Sequence, residues 1–89
     1  MIDHVGLPVS DYPRSKAFYL AVMPAIGAGL VMEVSAEQTG SQPAAGFGRG
    51  MKPDFWIGRG EVGSHTHVAF VVQSRQQVHA FFDAALAAG

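Results

Sequence analysis

The sequence predicts an α+β fold: a βαβββ module followed by a partial second module, βα, built as a mixed sheet with helices on one face. Three observations carry this. His4-Val5-Gly6-Leu7-Pro8-Val9 is echoed by His67-Val68-Ala69-Phe70-Val71-Val72, and the same offset aligns Ala17 with Ala80, Phe18 with Phe81 and Ala21 with Ala84. Internal similarity at one fixed offset means one supersecondary unit used twice. Each copy also opens on an alternating apolar segment and runs into helical spacing, and clusters of glycine and proline separate short β-type runs between the copies.

Taken in order, Ile2 to Val9 reads as a strand with Val5, Leu7 and Val9 on one face and His4, Gly6 and Pro8 on the other. Ser10 or Asp11 caps the helix that follows, from about Pro13 to Met23, with the proline tolerated in the first turn. Ala17, Phe18, Ala21 and Val22 gather an apolar stripe that should cover the Val5, Leu7, Val9 face. Pro24 and Gly27 end that helix, and Leu30 to Ser35 reads as a second strand. The small and polar residues 36 to 43 read as a loop or wide hairpin. Ala44 to Gly48 and Asp54 to Gly58 form a hairpin across the turn Arg49-Gly50-Met51-Lys52-Pro53. A glycine-rich crossing then leads to a strand over Thr66 to Val72. Gln73 or Ser74 caps a last helix with Val78, Phe81, Phe82, Ala85 and Leu86 at helical spacing, and Gly89 stands at its C-cap.

Composition restricts the function classes. A chain of 89 residues, 48% apolar and 15% charged, is one small globular domain. A domain of this size buries a modest share of its surface, so a partner chain, expected as a homodimer, is the natural supplement. Net charge of −1 with scattered Lys and Arg gives no attraction for nucleic acid. The apolar run from Leu20 to Met32 is short and broken by Pro24, Gly27 and Gly29, so no membrane span is expected. The absence of cysteine removes disulfides and thiolate chemistry, and with no leader-like N-terminus a cytoplasmic protein is expected.

The residues with chemistry are few. His4 and His67 stand at matching points of the repeat, on the strand face opposite the apolar residues, and are the candidate metal ligands. Imidazole suits Zn, Fe, Ni or Mn, although a catalytic site ordinarily needs a third protein ligand. The competing reading of each is a hydrogen-bonded structural histidine. Trp56 and Phe55 point to opposite faces of one strand, and Trp56 is the candidate substrate contact, against ordinary packing for both. His65 would share the face of His67, as an extra ligand, a proton shuttle or an exposed strand-entry residue, and His79 belongs to the solvent side of the last helix. Gly46-Phe47-Gly48-Arg49-Gly50 lies between strands rather than opening a helix, so it is no dinucleotide fingerprint. No catalytic or cofactor-binding residue is assigned.

This layout, with His4-Val5-Gly6-Leu7, Ser15-Lys16-Ala17-Phe18-Tyr19, Pro53-Asp54-Phe55-Trp56-Ile57 and His67-Val68-Ala69-Phe70, resembles the vicinal oxygen chelate superfamily of glyoxalase I, bleomycin-resistance proteins and extradiol dioxygenases. The resemblance covers the whole chain and implies one glyoxalase-like domain: a complete module over about 1 to 60 and an incomplete one over about 64 to 89. It places His4 and His67 at the family's histidine positions. The family's carboxylate of the first module would fall within Asp54-Phe55-Trp56-Ile57, where only Asp54 offers an oxygen, at the strand start. It further implies a divalent metal polarising neighbouring oxygens of a small substrate, in lyase, isomerase, dioxygenase or transferase chemistry. Two alternatives stand beside it: a metal-free module that binds or sequesters a small molecule, and a shortened member completed by a partner chain.

Overall fold

A computed structural model of the chain describes residues 2–63 and 66–89. Its elements are β1 (Val5–Val9), α1 (Tyr12–Val22), a 3₁₀ turn (Met23–Ile26), β2 (Gly29–Val34), the one-turn α2 (Ala36–Thr39), β3 (Ala44–Gly48), β4 (Phe55–Arg59) and α3 (Arg75–Ala88). The order β-α-β-β-β and then α, with a mixed sheet, is the expected α+β class. The sheet runs β1-β4-β3-β2, with β1 and β4 parallel and the other pairs antiparallel. Among the described residues no helix is long and apolar enough to cross a membrane.

Local chemistry sets the element ends. Asp11 is the N-cap of α1 and accepts a hydrogen bond from the Arg14 amide at 3.2 Å, and Ser74 accepts from Gln77 in the same way for α3. Pro24 does not stop the helical course. It opens the 3₁₀ turn, where a missing amide proton costs little, and Gly27 ends it at φ 76°. The stretch expected to be only loop carries α2, closed by a reciprocal Ser35 and Gln38 capping box.

The core is Val9, Tyr12, Val22, Met23, Ile26, Ala45, Phe47, Phe55 and Ile57. The expected stripe on α1 holds in half: Val22 is buried and Phe18 partly buried, whereas Ala17 and Ala21 are exposed and the buried Tyr12 and half-buried Tyr19 join the inward side. Large aromatic bodies bury more apolar area than alanine methyls, so the helix rotates to put the tyrosines inward. Tyr19 rests edge-on against Phe55 at 5.1 Å between ring centroids. Tyr12 donates its hydroxyl to Glu33 Oε2 at 2.7 Å, and Lys16 Nζ donates to Glu33 Oε1 at 2.8 Å. This pins α1 to β2.

The second copy departs from expectation. Residues 66 to 72 form no strand. They keep the alternation nonetheless, with Val68, Phe70 and Val72 packed against the core and His67, Ala69 and Val71 exposed. A strand requires a backbone ladder, and this segment docks through side chains: Phe70 meets Phe55 edge-on at 5.0 Å and Phe81 at 6.0 Å. On α3 only part of the expected stripe faces inward. Phe81 and Ala85 are partly buried, whereas Val78, Phe82 and Leu86 are exposed.

Candidate functional site

A crevice of about 570 Å³ opens on the helix side of the sheet. Its floor comes from Met23 and Ile26 of the 3₁₀ turn, Phe47 of β3 and Phe55 of β4, all buried. Its walls include the segment 68–71 and the N-terminal approach to β1, Ile2 to Val5. That volume lies within the range that takes a small molecule, and an apolar floor with a few polar groups is the usual lining.

The turn between β3 and β4 supplies the basic rim. Gly48 has no space for a side chain, because a Cβ there would stand 2.4 Å from the Lys52 carbonyl oxygen, and Gly50 turns at φ 82°. The tight fold-back brings Arg49 and Lys52 to the crevice mouth. Arg49 Nε donates to the Ile26 carbonyl at 2.9 Å, and its Nη2 donates to the Val71 carbonyl. One side chain thus joins the 3₁₀ turn to the segment that walls the crevice. Lys52 Nζ donates to the Asp3 carbonyl at 2.6 Å and pairs with Asp3 Oδ1 at 3.0 Å. Backbone bonds from Val5 to the Asp54 carbonyl and from Asp54 to the Phe47 carbonyl, both 3.0 Å, stitch the same end of the sheet.

His4 stands on this rim, exposed, just before β1. Its Nδ1 lies 3.1 Å from Asp3 Oδ2. With Nδ1 as the donor, Nε2 carries the lone pair. The bond from His4, and then Lys52, holds the Asp3 carboxyl below its ordinary value. His67 is exposed at the edge of the wall and is not among the crevice residues. Trp56 projects from the opposite face of the sheet, where its indole covers Gly46: a Cβ on Gly46 would be 2.9 Å from the ring and 2.7 Å from Pro53. Gly6 and Gly46 are its cross-strand neighbours on β1 and β3.

The structure therefore separates the three sequence candidates. Only His4 borders the crevice. His79 is exposed, and His65 lies outside the described residues. Among the described residues no three His, Asp or Glu side chains converge to hold a metal ion. One imidazole with a neighbouring carboxylate already paired to lysine falls short of the three-ligand set that a stable site uses. Arg49 and Lys52 were legible only as turn residues. The available signal was a pair of cations flanking a glycine turn between two strands, which must project at one end of the sheet.

The family model described as Glyoxalase/Bleomycin resistance protein/Dioxygenase superfamily matches residues 1–89. No curated protein matches the chain.

Proposed function

We propose that this chain, which belongs to the Glyoxalase/Bleomycin resistance protein/Dioxygenase superfamily, is a small-molecule binding module whose ligand sits in the helix-side crevice without needing a metal. The observation that carries this is the crevice itself: buried Met23, Ile26, Phe47 and Phe55 form an apolar floor that a ligand of aromatic size would cover. Residues 1 to about 60 act as one complete βαβββ module, and about 64 to 89 as the beginning of another. In this reading His4, oriented by Asp3, offers a ring nitrogen to a polar group of the ligand. Trp56 packs over Gly46 on the other face.

The test is a titration with a neutral aromatic probe, 2-naphthamide, followed by fluorescence. Val5 is exposed and lines the crevice, so Val5→Trp fills it and is expected to weaken the probe at least tenfold. Trp56→Ala is expected to leave affinity unchanged. The reverse pattern would move the ligand to the Trp56 face and reject the crevice.

A metal-dependent reading has one observation in its favour, the place of His4 among the residues that line the crevice. It needs further ligands, His67 and a carboxylate, brought to His4 by residues outside the described set or by a partner chain. Bound Zn, Fe, Ni or Mn that disappears on both His4→Ala and His67→Ala in untagged protein would establish it. Partner completion draws its support from the sheet, whose β1 and β2 are edge strands, and from exposed Val78, Phe82 and Leu86 on α3.

A further inference from the structure

We infer that the crevice selects organic anions, taking the apolar body of a small carboxylate on its floor and the carboxylate itself on Arg49; this rests on the crevice being the ligand site. Each cation of the rim has a different fate. Lys52 is neutralised by Asp3 at 3.0 Å, while Lys16, which does not line the crevice, is paired with Glu33. Arg49 has no carboxylate partner among the described residues. Its two bonds go to backbone carbonyls, of Ile26 and Val71, which fix the guanidinium without cancelling its charge.

A guanidinium carries five N–H donors in a rigid fork, so two bonds to carbonyls leave three donors. Oriented by those anchors, the plane is already set for a carboxylate, and little side-chain freedom is lost when one binds. The apolar and cationic surfaces adjoin. Ile26 belongs to the floor and its carbonyl holds Nε, while Val71 ends the wall and its carbonyl holds Nη2. An anion beside Arg49 therefore adjoins residues of the apolar lining, the arrangement that suits an aryl carboxylate better than a bare anion or a neutral arene. Asp3 and Asp54 also line the mouth. Asp3 is compensated by Lys52 at 3.0 Å, so its charge is already met.

The experiment compares 2-naphthoate with 2-naphthamide, two probes of one shape and different charge, on the full chain and on Arg49→Gln. The expected result is that the wild-type protein binds the carboxylate about tenfold more tightly than the amide, and that the ratio falls to about one in Arg49→Gln while the amide affinity holds. Equal affinity of the two probes for wild type overturns the anion selectivity and leaves the crevice reading standing. Absence of binding by either probe overturns both. A carboxylate preference that survives in Arg49→Gln removes the assignment from Arg49. Should Arg49→Gln lose its folded circular dichroism spectrum, Arg49→Lys takes its place: retention of a reduced carboxylate preference supports the assignment, and an undiminished one refutes the role of the fork.

Discussion

Replacing Phe70 by alanine tests how the second copy is attached to the domain. The segment 66 to 72 has no sheet partner, so its hold on the core runs through side chains, and Phe70 is the largest of them. Its ring meets Phe55 at 5.0 Å and Phe81 at 6.0 Å, bridging β4 and α3. An aromatic side chain covers roughly 200 Å², and at about 25 cal/mol per Å² the buried part of a partly buried ring contributes roughly 3 kcal/mol as an upper value. Allowing for the retained Cβ, Phe70→Ala should cost about 2 kcal/mol. In a domain of this size that lowers Tm by about 10 °C. The assay is urea and thermal unfolding followed by circular dichroism, with Phe82→Ala, 60% exposed, as a reference expected to cost about 0.5 kcal/mol or less. A double-mutant cycle between Phe55→Leu and Phe70→Leu should give coupling of about 0.5–1.5 kcal/mol. Equal costs for Phe70→Ala and Phe82→Ala, with no coupling to Phe55, would refute the docking of this segment.

Gly46→Ala should destabilise the protein by about 1–3 kcal/mol through overpacking, since its methyl would stand 2.7 Å from Pro53 and 2.9 Å from the Trp56 ring; chemical unfolding measures the cost, and a shifted Trp56 emission identifies the contact. Asp11→Ala should cost about 1 kcal/mol by freeing the Arg14 amide at the start of α1, measured in the same way. Acid should loosen the α1 to β2 tie: the hydrogen bond from Lys16, and then that from Tyr12, holds the Glu33 carboxyl below its ordinary value near 4.5. A depressed folded value makes this contribution present above the unfolded value and lost as pH falls through the folded one. With Glu33 exposed, screening limits the effect to about 1 kcal/mol or less, so Lys16→Met should lower stability at pH 7 by that small amount and flatten the fall below pH 4.5, where variant and wild type converge.

Period and turn chemistry made much of the framework readable. β3 falls on the expected residues, and each helix cap was narrowed to two neighbours, Ser10 or Asp11 and Gln73 or Ser74, of which the structure selects Asp11 and Ser74. Faces were less secure. Alternation placed Phe55 and Trp56 on opposite sides correctly, but the stripe on α1, right in Val22 and the partly buried Phe18, included the exposed Ala17 and Ala21 and left out the two tyrosines. The echo of β1 at residues 66 to 72 carried the alternation of a strand without a ladder partner. Sequence periodicity reports which side chains face apolar surroundings, and it is silent on whether a neighbouring backbone is there to pair.

The same distinction separates the site from its candidates. A repeat puts His4 and His67 at equivalent positions of two copies, yet convergence depends on how the copies pack, and here only His4 reaches the crevice. The crevice itself was hidden because its parts are distant in sequence. Arg49, Ile26 and Val71 meet through one guanidinium, and nothing local at any of the three announces the others.

The most direct measurement of the central claim is a chemical-shift titration of isotope-labelled, chelator-treated protein with 2-naphthamide. The account predicts saturable binding, about millimolar or tighter, with the largest shifts at Phe47 to Arg49, Phe55 and Val68 to Val71 and little change along Gly6, Gly46 and Gly58 on the opposite face. Shifts confined to the Trp56 face, or binding that appears only after a divalent metal is restored, would contradict it.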